Sequence, residues 1–126
     1  MIRGHGVDVQ DVNRIRKLLA FAEEDFLLST YTRAERETNC LEHERAEFFA
    51  GRFAAKEAIA KALGTGFVGG MSFQDVAILR AEGGQPEVVL TGATREVASR
   101  LGVTRWLLSI SHTEHVAFAS AIAIQD

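Results

Sequence analysis

Two acidic residues stand in segments that are otherwise mostly apolar. Asp8 ends the run Gly6-Val7-Asp8, and Glu57 lies in a stretch rich in alanine and phenylalanine. A charged group in such a helix has to be paired, has to bind a ligand or a metal, or has to reach solvent. Two hard oxygen ligands without a Cys or His cluster suit Mg²⁺, which takes one or two carboxylates together with waters and substrate phosphates. An ion pair between Glu57 and Lys61, one helical turn apart, explains the glutamate equally well.

Three basic residues accompany Glu57 on the same predicted helix. At about 100° per residue, Arg45, Arg52 and Lys56 fall within about 40° of one another around the helix axis. Guanidinium and ammonium groups on one stripe suit the binding of phosphate oxygens. Taken alone, these residues predict a Mg²⁺ and phosphate site, and they do not name a reaction.

Two other patterns are weaker. Glycines at 64, 66, 69 and 70 suggest a phosphate loop, but such a loop follows a strand and opens a helix, whereas this one follows a helix. It is interpreted as a helix end and a connection. Ser109, Ser111, His112 and Asp8 are the residue types of a hydrolase triad, but the sequence has no G-x-S-x-G elbow, and the serines alternate with apolar residues as in a strand.

Helices and strands must position these side chains. Apolar spacing predicts a first strand over 2–9, a helix over 11–28 with Asp11 as N-cap, and a short helix starting with a capping box at Thr32. A long helix over 41–63, apolar on nearly every side, is expected to be buried. Strands over 73–79 and 87–90, a helix over 91–101 and strands over 106–111 and 116–124 complete the chain. The order β-α-α-α-β-β-α-β-β predicts an α+β fold with a largely antiparallel sheet packed against the long helix.

Size, charge and cysteine content narrow the classes of function. The 126 residues predict a single domain, 1–126, and a large ligand on the surface or between subunits. A net charge of −3 argues against a nucleic-acid or membrane-surface binder. The single Cys40 excludes an internal disulfide. With no secretory signal and no apolar run long enough to span a bilayer, the sequence predicts a cytoplasmic protein.

Ordered motifs then cover nearly the whole chain. They are Gly4-His5-Gly6-Val7-Asp8 with Arg14, the run Glu47-Phe48-Phe49-Ala50-Gly51-Arg52-Phe53-Ala54-Ala55-Lys56-Glu57-Ala58, and the later runs Ser72-Phe73-Gln74-Asp75-Val76 and Ser109-Ile110-Ser111-His112-Thr113. This pattern resembles the holo-[acyl-carrier-protein] synthases, the bacterial 4′-phosphopantetheinyl transferases. Those enzymes move the phosphopantetheine arm of coenzyme A onto a serine of apo acyl carrier protein and release adenosine 3′,5′-bisphosphate.

The resemblance implies roles for individual residues. Asp8 and Glu57 match the Mg²⁺ ligands, and Lys61 matches a lysine near the phosphates. The coenzyme A site is implied for Arg45, Arg52, Lys56 and His112. The stretch before the long helix is often basic in the family but here is neutral or acidic, which leaves Arg45 alone there to meet the 3′-phosphate. Proton removal from the carrier serine falls to Glu57 or to a metal-bound water.

The resemblance also implies partners and assembly. An acidic carrier protein would dock on the first helix, at Arg14, Arg16, Lys17 and Phe21, although a solvated helix face explains the same residues. A homotrimer with active sites between subunits, acting in fatty acid biosynthesis, is implied as well. The alternatives are a non-catalytic trimeric module that binds coenzyme A or carrier protein, and, more remotely, a Ser/His hydrolase of coenzyme A thioesters.

Overall fold

The computed structural model describes residues 1–126. The helices are α1 (Val12–Phe21), α2 (Glu23–Thr30), α3 (Arg33–Arg36), α4 (Arg45–Ala62) and α5 (Gly92–Arg100). The strands are β1 (Ile2–Asp11), β2 (Val76–Arg80), β3 (Pro86–Leu90), β4 (Arg105–His112) and β5 (Val116–Ile124). Short 3₁₀ turns span Glu42–Glu44 and Phe73–Asp75.

All strands pair antiparallel, in two sheets. The larger sheet has the order β1-β5-β4, and the smaller one is the β2-β3 hairpin. The predicted α+β class is therefore confirmed, with two antiparallel sheets in place of one.

Small residues let the larger sheet lie close against α4. Four alanines of β5, at alternate positions from Ala117 to Ala123, are fully buried. On β1, an added Cβ at Gly6 would lie 2.0 Å from the carbonyl oxygen of Ala58, and one at Gly4 would lie 1.9 Å from that of Ala62. Helix and strand backbones are thus in direct contact, which fixes α4 relative to β1.

The N-terminal helical region differs from the prediction of one helix over 11–28. The chain turns at Ala22 (φ −146°, ψ 39°) and begins a second helix, so four helices precede β2. The predicted caps are present: Asp11 accepts from the amide of Asn13, and Thr32 and Glu35 form a capping box. The break lets α2 place Phe26 against Tyr31 and Phe53 in the core.

The other face of the larger sheet has no element over it. Alternation along the strands directs Val9, Leu107 and Phe118 to this outer face, where they are 58%, 49% and 38% exposed. Ser109 and Ser120 lie between these apolar side chains on the same face. The exposed apolar side chains make this face a candidate interaction site. None of the helices has the length and apolar character needed to cross a membrane.

Candidate active site

Asp8, Glu57 and Lys61 come together where β1 crosses α4, and we call them the acid–lysine cluster. Asp8 lies on the same face of β1 as Gly4 and Gly6, because side chains repeat every two residues along a strand. The glycine contacts with α4 therefore bring the Asp8 carboxylate to the helix, where Glu57 and Lys61 are one turn apart. Lys61 Nζ lies 3.1 Å from Asp8 Oδ1 and donates to the carbonyl of Val7 at 3.0 Å.

The electrostatics of the cluster favour a cation. Partial burial raises the pKa of Glu57, the nearby Asp8 carboxylate raises it further, and Lys61 opposes the shift. Lys61 pairs with Asp8, so the alternative of a Glu57–Lys61 ion pair is not what the structure forms. The two mutually repelling carboxylates supply oxygen ligands that fit Mg²⁺ together with substrate oxygens, and Lys61, which is more than half exposed, can move away from Asp8.

A second group of charged residues surrounds a cavity of about 310 Å³ between α4, the segment before it and β4, which we call the arginine cavity. Arg52, Arg80 and His112 line it together with Glu44 and Glu47. The Arg52 guanidinium lies 4.3 Å from the centre of the Phe48 ring. Arg52 Nε is buried without a hydrogen-bond partner. Burial, and after it the nearby Arg80, lower the pKa of Arg52. An anion in the cavity would supply the missing acceptor and relieve the repulsion between the arginines.

The acid–lysine cluster and the arginine cavity lie on different sides of α4. Arg52 and Glu57 are five residues apart, which is about 140° around the helix axis. The structure therefore brings Asp8, Glu57 and Lys61 together, and separately Arg52 and His112, but it does not join the two groups within one chain.

Lys56, which the family resemblance assigned to the coenzyme A site together with Arg52 and His112, does not line the arginine cavity. Its side chain is fully buried, and Nζ lies 2.7 Å from Glu35 Oε1 and donates to the carbonyls of Phe73 and Val76. Glu35 is also fully buried, and its carboxylate accepts from the amides of Thr32 and Ile78. Lys56 thus ties α3, α4 and β2 together, and its donors point to protein acceptors.

Arg45 likewise lies apart from Arg52. Its guanidinium pairs with Glu23 of α2 at 2.6 Å and lies over the ring of Phe49. Arg45, Arg52 and Lys56, which were predicted to share one side of the long helix, therefore lie in three different environments. The reason is that a different segment of the chain covers each turn of α4.

The predicted docking residues of α1 also divide. Arg14, Lys17 and Phe21 are within about 60° of one another around the helix and are exposed, Phe21 to 87%. Arg16 points to the other side and pairs with the partly buried Glu47 at 3.1 Å. The exposed face is therefore basic with one large aromatic ring, and Arg16 belongs to the contact between α1 and α4.

Two patterns set aside in the sequence have structural explanations. Asp8 contacts Lys61 and Gln10 rather than His112, so the residues of the suggested triad do not assemble. The glycines after α4 adopt positive φ, as at Gly64 (81°), and end the helix. Three residues of the sites were not found from the sequence: Gln10 beside Asp8, Arg80 in the arginine cavity and Glu35 beneath Lys56.

An α+β fold that brings two carboxylates and a lysine together at the edge of a strand is typical of proteins that bind a divalent cation and phosphate groups. Comparison with known proteins specifies the family. Residues 4–119 match the family model of the 4′-phosphopantetheinyl transferase superfamily. The holo-[acyl-carrier-protein] synthase of Desulforudis audaxviator is 48% identical over 126 residues, covering 98% of this chain and 94% of the relative.

Solved structures agree with this result. The holo-[acyl-carrier-protein] synthase of Neisseria meningitidis superposes with a TM-score of 0.85 at 33% identity, covering 99% of this chain and 100% of that one. The Bacillus anthracis enzyme in complex with CoA (3′,5′-ADP) superposes with a TM-score of 0.82 at 33% identity, covering 100% and 99%. The chain belongs to the 4′-phosphopantetheinyl transferase superfamily. The predicted family, fold class and transferase activity are confirmed.

Proposed function

We propose that the protein transfers 4′-phosphopantetheine from coenzyme A to a serine of apo acyl carrier protein, depends on Mg²⁺ and releases adenosine 3′,5′-bisphosphate. The observation that carries this proposal is the acid–lysine cluster, in a chain whose relatives are holo-[acyl-carrier-protein] synthases. A solved relative in complex with CoA supports the choice of donor. The proposal places the enzyme in the cytoplasm, in fatty acid biosynthesis, with 1–126 as one catalytic domain.

The three residues of the acid–lysine cluster divide three tasks in this reaction: holding the cation, stabilising negative charge and accepting a proton. Asp8 and Glu57 would hold Mg²⁺, which would supply charge neutralisation for the pyrophosphate and the leaving bisphosphate. Lys61 has an exposed ammonium that can turn from Asp8 to a phosphate oxygen and stabilise negative charge there. Glu57 forms no ion pair with Lys61 and accepts the proton of the carrier serine at a carboxylate oxygen as the hydroxyl attacks the β-phosphorus.

The arginine cavity is proposed to hold the phosphate groups of the nucleotide end of coenzyme A. Arg52 and His112 are retained from the family pattern, and Arg80 is added because it lines the same cavity. Arg45 could join them only after leaving Glu23. Lys56 is proposed to support the site from within the core, through Glu35 and the carbonyls above α4.

Two features support the homotrimer with active sites between copies that the family resemblance implies. One chain presents its acid–lysine cluster and its arginine cavity on different sides of α4, so one coenzyme A molecule that uses both would bridge two copies. The uncovered outer face of the larger sheet, with Val9, Leu107 and Phe118, offers the apolar surface for that assembly. Each site would then combine Asp8, Glu57 and Lys61 of one copy with Arg52, Arg80 and His112 of another.

The exposed face of α1 is proposed as the docking surface for the acidic carrier protein. Arg14 and Lys17 supply positive charge, and the exposed Phe21 supplies an apolar anchor. Arg16 contributes indirectly, because its bond to Glu47 fixes α1 against α4. Arg14 donates to Gln10, which in turn donates to Asp8, so a carrier protein at the proposed docking surface would be next to the cluster.

Mass spectrometry of the carrier protein tests this function. The protein is mixed with Mg²⁺, coenzyme A and an apo acyl carrier protein, and we expect the carrier to gain the mass of one phosphopantetheine group. Asp8→Asn should abolish the gain, whereas Asp25→Asn, at an exposed position of α2, should leave it intact. Binding of coenzyme A or carrier without any gain in mass would instead support the non-catalytic binding module.

A further inference from the structure

Gln10 connects the acid–lysine cluster to the docking surface. Its side-chain Nε2 lies 2.6 Å from Asp8 Oδ2, and its Oε1 lies 3.0 Å from Arg14 Nη2. Asp8 and Gln10 occupy the same face of β1 because they are two residues apart, and Arg14 reaches back from the first turn of α1. The three side chains form one hydrogen-bonded chain.

The chemistry of the neighbours fixes the orientation of the Gln10 amide. A carboxylate only accepts hydrogen bonds and a guanidinium only donates them, so the amide NH₂ must face Asp8 and the amide oxygen must face Arg14. Glutamate in this place could not donate to Asp8, and leucine could do neither. The bond to Asp8 is also charge-assisted, which makes it stronger than a neutral one.

Gln10 and Lys61 hold Asp8 from two sides. Lys61 occupies Oδ1 and Gln10 occupies Oδ2, so the two carboxylate oxygens have separate partners. Each oxygen has a second lone pair that stays available for a cation. Lys61 is more than half exposed and can move, whereas Gln10 is partly buried and is itself held by Arg14. The hydrogen bond from Gln10 to Asp8 therefore stays in place when Lys61 turns to a phosphate.

We propose that Gln10 is a positioning residue that orients Asp8 for the divalent cation, and that Arg14 acts on the cation site through Gln10 in addition to meeting the carrier protein. The proposal rests on the proposed function, since it takes Asp8 as a ligand of that cation. Arg14 has five N–H donors, so one can stay on Gln10 while the others face a partner.

Cation binding without carrier protein separates this role from docking. Mn²⁺ is titrated by electron paramagnetic resonance into protein saturated with coenzyme A, so that no turnover occurs. We expect Gln10→Leu to weaken Mn²⁺ binding about tenfold. This is the smallest loss of affinity that is typical when a group that orients a metal ligand is removed. Gln85→Leu, at an exposed glutamine in the β2–β3 turn, should bind Mn²⁺ as the unaltered protein does.

A double-mutant cycle tests the link to Arg14. Arg14→Ala alone should also weaken Mn²⁺ binding, and adding it to Gln10→Leu should cause no further loss, because the chain is already broken. In turnover assays Gln10→Leu should lower kcat while the KM for carrier stays within about twofold, and Arg14→Ala should raise that KM.

The outcomes distinguish this proposal from the proposed function. Asp8→Ala serves as the reference: if it binds Mn²⁺ like the unaltered protein, the cation site itself is wrong and the role of Gln10 fails with it. If Asp8→Ala loses binding but Gln10→Leu does not, only the role of Gln10 is overturned. Strictly additive effects of the two substitutions would show that Arg14 does not act through Gln10.

Discussion

Replacing Gly6 with alanine should separate β1 from α4 at the point where Asp8 meets Glu57. The new Cβ would lie 2.0 Å from the carbonyl oxygen of Ala58 and 2.7 Å from the amide nitrogen of Ala62. Both are backbone atoms, so rotation of a side chain cannot relieve the contact. Restoring an ordinary separation of 3.4 Å requires a displacement of 3.4 − 2.0 = 1.4 Å. Asp8 lies two residues along the same strand face, about 7 Å away, and moves with it.

The expected loss in turnover is large compared with the loss in stability. Overpacking of this kind costs about 1–3 kcal/mol, which leaves a protein of ordinary stability folded. A displacement of about 1 Å in a side chain that positions the reacting groups can lower the rate about 100-fold. We therefore expect Gly6→Ala to fold and to lose about 100-fold in kcat for phosphopantetheine transfer.

Gly4→Ala is the matched control for this prediction. Its Cβ would lie 1.9 Å from the carbonyl oxygen of Ala62, which is as close a contact as the one at Gly6. Gly4, however, is about 13 Å from Asp8 along the strand. Urea unfolding and kcat are measured for both variants. A folded Gly6→Ala protein with unchanged kcat refutes the claim that this contact positions Asp8. An equal loss in both variants would attribute the effect to stability instead.

Three further predictions concern the core and the uncovered sheet. Lys56→Met leaves the Glu35 carboxylate buried without its partner and should cost about 3–5 kcal/mol in urea unfolding; an unchanged midpoint contradicts the role given to this pair. Burial raises the pKa of Tyr31, and the nearby Glu35 carboxylate raises it further. Above about pH 10 the unfolded chain therefore loses the Tyr31 hydroxyl proton while the folded protein keeps it, so the free energy of unfolding falls as pH rises. Tyr31→Phe should remove that part of the alkaline loss, and equal pH dependence in both proteins argues against it. Leu107→Asp should convert the assembly to monomers in light scattering, whereas retention of the assembly excludes this face as the interface.

The sequence predicts those parts of the site that depend on local patterns. Asp8 and Glu57 stand out because a carboxylate is conspicuous in an apolar strand and an apolar helix. The N-cap at Asp11 and the capping box at Thr32 follow from short motifs, and both are present. The long helix that is apolar on nearly every side is expected to be buried, and most residues of α4 are buried.

Tertiary contacts decide the parts that the sequence does not predict. Helical periodicity places Lys56 on the same stripe as Arg52, but it carries no information about the segments that cover each turn. Glu35, 21 residues earlier, and the carbonyl of Phe73, 17 residues later, make Lys56 an internal group. Arg16 is likewise turned away from the exposed face of α1 by its hydrogen bond to Glu47, which lies 31 residues away in the sequence.

Mixing two inactive variants tests the central claim most directly, that each active site is built from two copies of a phosphopantetheinyl transferase. Glu57→Ala and Arg52→Ala proteins are co-expressed, and the mass gain of apo acyl carrier protein is followed with Mg²⁺ and coenzyme A. Each variant alone should be inactive, while random mixed assembly should restore up to about one quarter of the sites, those that pair an intact Glu57 with an intact Arg52. A mixture no more active than its separate components would contradict the account.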